Sequence, residues 1–108
     1  MALWTTPNKT IGLELSEDVR NSTVTVGTAS VELCKANKRQ MYIIQNISTG
    51  GQNITIRMGE GTAVAGYGIT IGPGTMWIDC NGEGYNCFQG RILGIASAAG
   101  GSVAITER

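Results

Sequence analysis

The chain has 108 residues, of which 42% are hydrophobic and 15% are charged, and a single domain with one core is expected at this length. Eight Lys and Arg balance eight Asp and Glu, so no basic excess is present to neutralise phosphates and we expect no nucleic-acid partner. No run of 18 apolar residues occurs, so we expect no membrane partner either.

The first 22 residues differ in pattern from the rest and predict an extended N-terminal arm, followed by a folded domain over residues 23–108. Trp4 lies near the start, and Leu13 belongs to a short alternating run. Two arrangements remain open for Trp4, which either packs under its own domain or inserts into a neighbouring subunit. Trp4 and Leu13 are therefore candidates for subunit or partner contact. The segment lacks a basic and apolar leader, so we expect no signal peptide.

Two short alternating runs follow at residues 22–26 and 30–34, around Gly27. Period two over four to six residues predicts strands, and the intervening small residues predict a hairpin. We expect the valines of both runs, together with Leu33, to face inward.

The central stretch covers residues 39–58, where two runs rich in Ile, Tyr and Thr flank a Gly-Gly break. This pattern is typical of an antiparallel hairpin. Met41 and Ile43 alternate on one face, and Tyr42 and Ile44 make the other face apolar as well. Such a strand is either central in a sheet or carries a subunit contact on its second face, so Tyr42 and Ile44 are contact candidates.

The second half of the chain contains short strands separated by glycine-rich turns. In one of them, residues 75–80, Trp77 and Asp79 alternate with Met76 and Ile78, which makes Trp77 a further contact candidate. No segment has a helical period. Regular short strands with glycine turns predict an all-β, single-domain antiparallel β-sandwich, jelly-roll-like, with seven to nine short strands.

Catalytic chemistry has little support in this composition. The chain has no histidine, which removes the commonest general base and metal ligand. Asp79 and Glu83 flank one turn, but a solvated loop explains them better than an acid/base pair. We therefore predict no catalytic residue, no metal, no cofactor and no enzymatic activity.

Three cysteines and two aromatic residues leave alternatives open. Cys80 and Cys87 flank a short loop, so a disulfide would form in an oxidising compartment, whereas three free thiols are favoured in a reducing cytoplasm. Trp77 and Tyr85 lie on or beside one predicted hairpin, where exposed rings would form a sugar-binding platform. Packing of Trp77 in a core or an interface is the simpler interpretation.

The stretch RQMYIIQNIS resembles a segment found in a group of small phage and prophage proteins. Further pieces of the resemblance follow in the same order and extend it over about residues 38–107. The matching pieces are residues 39–48, 54–56, 59, 65–74, 90–92, 95–96 and 103–107.

This resemblance implies a non-enzymatic structural component of a bacteriophage virion, assembled in the cytoplasm of a bacterial host. A capsid decoration (cement) protein that stabilises the shell is the first expectation, and a carbohydrate- or receptor-binding module of a tail or fibre is the alternative. The implied partners are the major capsid protein or other virion proteins. A homo-oligomer is expected, for which a trimer is one arrangement.

Overall fold

A computed structural model describes residues 19–108 of the chain. Within that range the secondary structure consists of strands and turns, and no helix occurs. The eight strands are β1 (Arg20–Val26), β2 (Val31–Cys34), β3 (Met41–Asn46), β4 (Ile54–Met58), β5 (Ile69–Ile71), β6 (Met76–Cys80), β7 (Ile92–Ala96) and β8 (Gly101–Glu107).

The strands form two antiparallel sheets of four, which confirms the predicted all-β sandwich. Sheet I has the order β1-β8-β3-β6, and sheet II has the order β2-β7-β4-β5. The pairs β1/β8, β2/β7, β3/β6 and β4/β5 are those of one long antiparallel ribbon folded over at its middle. Rolling that ribbon places β8 beside β3 and β7 beside β4, and this arrangement is a jelly roll.

The pairing of neighbouring strands differs from the sequence-based expectation. The hairpin predicted over residues 39–58 is wrong, because β3 pairs with β6 and β8 whereas β4 pairs with β5 and β7. The hairpin predicted for residues 22–34 is wrong for the same reason, since β1 and β2 lie in opposite sheets. Alternation identifies a strand but not its partner, and in a jelly roll most connections cross from one sheet to the other.

The core lies between the two sheets and follows the alternation of each strand. Residues that point inward from sheet I meet those from sheet II, and the inner positions have almost no exposed surface. The largest of these fully buried side chains are Tyr42, Ile44, Ile54, Ile56, Ile92, Ile105, Val26, Val103 and Asn46.

One polar residue in that core fixes the crossing from β3 to β4. The Asn46 side chain donates to the carbonyl oxygens of Gln52 (2.9 Å) and Ile71 (3.0 Å). Its Oδ1 accepts the Ser48 N–H at 3.0 Å. Asn46 thereby supplies hydrogen-bond partners to backbone groups that the crossing leaves without a partner on a neighbouring strand. Its own buried polar atoms are satisfied by the same bonds, as buried polar groups generally are. Sequence reasoning missed this role.

Strand β1 begins at Arg20, so residues 20–22, assigned to the arm from the sequence, belong to sheet I. The remainder of the predicted arm, including the contact candidates Trp4 and Leu13, lies outside the described residues.

Candidate functional site

The outer face of sheet I is uncharged over all four strands. Alternation places Met41, Ile43 and Gln45 of β3 outward because Tyr42, Ile44 and Asn46 point into the core. The strand register aligns the outward residues of the other strands with these. The outer positions are Asn21, Thr23 and Thr25 of β1, Ser102, Ala104 and Thr106 of β8, Met41, Ile43 and Gln45 of β3, and Met76, Ile78 and Cys80 of β6.

The apolar part of this face lies on β3 and β6, at one edge of the sheet. Ile43 is paired with Ile78, and Gln45 with Met76. Ile78 is 51% exposed and Met76 is 46% exposed, although both are large apolar side chains. Grouped apolar residues in contact with water are typical of a surface that another protein covers. We name this group, Met41, Ile43, Met76 and Ile78, the β3–β6 patch.

The outer face of sheet II is covered by another part of the same chain. Thr55 and Leu93 alternate with core residues and point outward, yet each is only 2% exposed. The connection between β4 and β5 lies over this face. The Gly66 N–H donates to Thr55 Oγ1 (3.0 Å), and the Ala63 N–H donates to Ser30 Oγ (2.9 Å). Ala63 is itself buried, so the connection covers the outer face of sheet II, whereas the outer face of sheet I carries exposed apolar residues.

Two of the contact candidates predicted on β3 lie inside the protein. Tyr42 and Ile44 have no exposed surface and belong to the core cluster. The face of β3 that was expected to contact another subunit is therefore the inner face, which lies in the core. The register of β3 within sheet I places Met41 and Ile43 outward instead, a choice that the sequence left open because both faces of this strand are apolar.

Trp77 also points inward. It is half-buried against the core, and its indole Nε1 donates to the Tyr42 hydroxyl at 3.1 Å. Burial raises the pKa of Tyr42 well above its usual range, and the hydrogen bond from Trp77 opposes this shift only in part. The stacking surface expected of a sugar-binding Trp77 is therefore largely engaged within the fold.

Asp79 organises the loop that precedes β7. This buried carboxylate accepts the Tyr85 hydroxyl at 2.8 Å and the Phe88 N–H at 3.0 Å. The hydrogen bond raises the pKa of the exposed Tyr85. Both oxygens of Asp79 are occupied by the loop, which gives the residue a structural role that its pairing with Glu83 in the sequence did not indicate.

The ends of both sheets are tied together by Arg39, a residue that sequence reasoning did not single out. Its fully buried guanidinium forms an ion pair with Glu107 at 2.9 Å. The remaining N–H groups donate to the carbonyl oxygens of Phe88, Gly90 and Lys35. The guanidinium also lies 5.5 Å from the centre of the Tyr42 ring.

The three cysteine thiols are unpaired, and only Cys80 is exposed. Burial raises the pKa of Cys34 from 9.0 to about 12. Burial also raises the pKa of Cys87, whose Sγ donates to the Arg39 carbonyl oxygen at 3.3 Å. Neither buried thiol has the lowered pKa of a reactive cysteine.

Within residues 19–108, no cluster of three or more His, Cys, Asp or Glu has the geometry to hold a metal ion. None of these residues forms a helix that is long and apolar enough to cross a membrane. The chain matches no protein-family model, no curated protein and no solved structure.

Proposed function

We propose that this protein is a non-enzymatic structural protein of a bacteriophage particle, a capsid decoration protein that binds the assembled shell. The β3–β6 patch is the observation that carries the proposal. It supplies an uncharged, partly apolar surface on the outer face of sheet I, where Met76 and Ile78 are about half exposed. Such a surface buries apolar area without desolvating a charge, which favours protein–protein contact.

A decoration protein stabilises a shell by binding the assembled state better than the free subunits. Jelly rolls occur in viral capsid proteins as well as in lectins, so the fold supports this function by analogy only. The resemblance of residues 38–107 to small phage virion proteins adds a second line of support. We propose that the capsid shell, through its major capsid protein, is the partner, and that the protein forms a homo-oligomer, with a trimer at local three-fold axes as one arrangement.

The test uses phage particles purified from a culture that makes this protein. We expect the protein to be present in the particles by mass spectrometry. We also expect the purified full chain to co-sediment with shells that lack it. In Ile78→Glu a charge enters the β3–β6 patch, and binding should fall by about tenfold or more.

Val64→Glu is the matched control, because Val64 is also a large apolar residue, 47% exposed, but lies on the β4–β5 connection over sheet II. This variant should bind shells as the original protein does. Light scattering on the free chain should show an oligomer. Absence of the protein from particles, or equal binding by both variants, would overturn the proposal.

Exposed tyrosines favour a second candidate, a carbohydrate- or receptor-binding module. Tyr67 is 77% exposed on the β4–β5 connection, and Tyr85 is 54% exposed beside β6. Tyrosine rings of this kind stack on sugars in β-sandwich lectins. A glycan array probed with the full chain should give a signal that Tyr67→Ala removes, and a blank array would eliminate this candidate.

A further inference from the structure

A pocket of about 220 Å³ lies at the end of sheet I. Here β1 and β3 begin, and β6 and β8 end, because neighbouring strands of the sheet are antiparallel. The side chains that line it are basic or amide-bearing, and no carboxylate is among them. They are Arg20, Lys38, Arg39, Gln40, Asn81, Gln89 and Arg108.

The charges around the pocket are unevenly matched. Glu107 pairs with Arg39 at 2.9 Å and lies 3.8 Å from Arg20. Lys38 and Arg108 form no ion pair with any residue in the 19–108 range. Glu107 is the carboxylate that the ion pairs of residues 19–108 place here, against the three cations Arg39, Lys38 and Arg108. This local excess contrasts with the neutral chain as a whole.

Arg39 contributes charge but no free donor. Its five N–H groups are all engaged by Glu107 and the three backbone carbonyls. Gln89 uses one of its two side-chain N–H groups on the Arg39 carbonyl oxygen. Donors that remain for a ligand are therefore on Arg108, Lys38, Gln40 and Asn81, together with the second N–H of Gln89. The side-chain oxygen Oδ1 of Asn81 accepts the Cys87 N–H at 2.8 Å, so the NH₂ group of Asn81 is available to a ligand.

Arg108 provides a second and independent observation. Its Nε is buried and has no hydrogen-bond partner. A buried guanidinium N–H without an acceptor is unfavourable, because the group has lost water and gained nothing in its place. Arg108 lines the pocket, so an oxyanion there would meet its guanidinium, and guanidinium–oxyanion hydrogen bonds are among the strongest in proteins.

We propose that this pocket is a binding site for an oxyanion, a carboxylate or phosphate group. Arg108 and Lys38 supply the charge, and the side-chain amides of Gln40 and Asn81 donate additional hydrogen bonds. The same chemistry is offered by a free anion in solution and by an acidic side chain of a bound protein. The site is separate from the β3–β6 patch and does not depend on the proposed virion role.

The test is a titration of the full-length, isotope-labelled chain with sodium phosphate and, separately, sodium acetate, at constant ionic strength against sodium chloride. We expect saturable NMR shifts of the side-chain amides of Gln40 and Asn81 with at least one of the two anions. Saturation by phosphate alone assigns the site to phosphate groups, and saturation by acetate assigns it to carboxylates.

Arg108→Gln and Lys38→Gln should each weaken binding by about tenfold. Lys35→Gln is the matched control, an exposed lysine of the same loop outside the pocket. Thermal unfolding of each variant checks that it is folded, and the Lys38 variant provides the test on its own should the Arg108 variant unfold. No saturable shift, or equal weakening in Lys35→Gln, would overturn the proposal.

One further variant separates a free site from one that the chain fills itself. Glu17 and Asp18 are separated from Arg20 only by Val19 in the sequence, so they are the acidic residues to test as competitors for the pocket. Anion binding by the original protein supports the proposed site. Binding that appears only in Glu17→Gln/Asp18→Asn would overturn it, because the chain's own acids would then be the occupant.

Discussion

Both outer faces of the sandwich carry apolar residues, but these residues are buried on one face and exposed on the other. Leu93, on the outer side of sheet II, is 2% exposed, whereas Ile78, on the outer side of sheet I, is 51% exposed. The difference arises from the connections. The β4–β5 connection folds back over sheet II and is held there by Thr55 and Ser30. In the β3–β6 patch, by contrast, Met76 is 46% exposed as well.

This contrast separates residues that stabilise the chain from residues available to a partner. An outward apolar side chain that its own chain covers contributes to folding, as a core residue does. One that remains in contact with water contributes its burial energy only when another molecule covers it. The comparison therefore predicts different consequences for matched substitutions on the two faces.

The largest effect is expected for Arg39, which lies between the two sheets and belongs to neither outer face. Arg39→Met leaves Glu107 and three backbone carbonyls without their partner, so the free energy of unfolding should fall by about 3–5 kcal/mol. Urea unfolding measures this loss. Lys35→Met, at an exposed lysine of the same loop, should change the free energy by less than about 0.5 kcal/mol. A similar stability for both variants would contradict the role given to Arg39.

The contrast between the faces is tested directly by truncation. Leu93→Ala removes buried methyl groups from the outer side of sheet II and should cost about 2–5 kcal/mol. Ile78→Ala removes a similar volume from the open face and should cost less than about 1 kcal/mol in the free chain. Both values come from the urea midpoint at constant slope. Equal costs would show that the β3–β6 patch is covered within the chain.

A smaller effect is expected where the covering connection joins β5. Gly68 has a φ of +133°, and a Cβ there would lie 2.7 Å from the Ile56 carbonyl oxygen. Gly68→Ala should therefore cost about 1–3 kcal/mol and expose Arg57, before the connection, to trypsin. Gly66 has a φ of +83° with no atom near its Cβ position, so Gly66→Ala should cost only about 1 kcal/mol.

The smallest effect concerns pH. Burial raises the pKa of Cys34 from 9.0 to about 12, so the folded protein favours the neutral thiol. This contribution to stability is complete below about pH 9 and is lost as the pH rises toward 12. Cys34→Ala should reduce the alkaline loss of stability without abolishing it, because burial raises the pKa of Tyr42 as well. Urea unfolding of Cys34→Ala and of the original protein, measured across this pH range, checks the prediction.

Much of the fold follows from the sequence alone. Period-two alternation in short segments and glycine at the turns are local properties, because backbone geometry sets them within a few residues. They identified an all-β chain and the approximate positions of β3, β4 and β6. The absence of charge from the outer positions of β3 and β6 is also visible in the sequence, although its grouping on one surface is not.

Only the tertiary structure decided which strands pair and which side of β3 faces inward. Alternation is satisfied equally when Tyr42 and Ile44 point into the core and when Met41 and Ile43 do, since both sets are apolar. The choice depends on Trp77 and Asp79 of β6, Glu107 of β8 and Arg39, which are distant in sequence and meet only when the ribbon is rolled. Pairing in a jelly roll is non-local for this reason, and a local pattern carries no information about it.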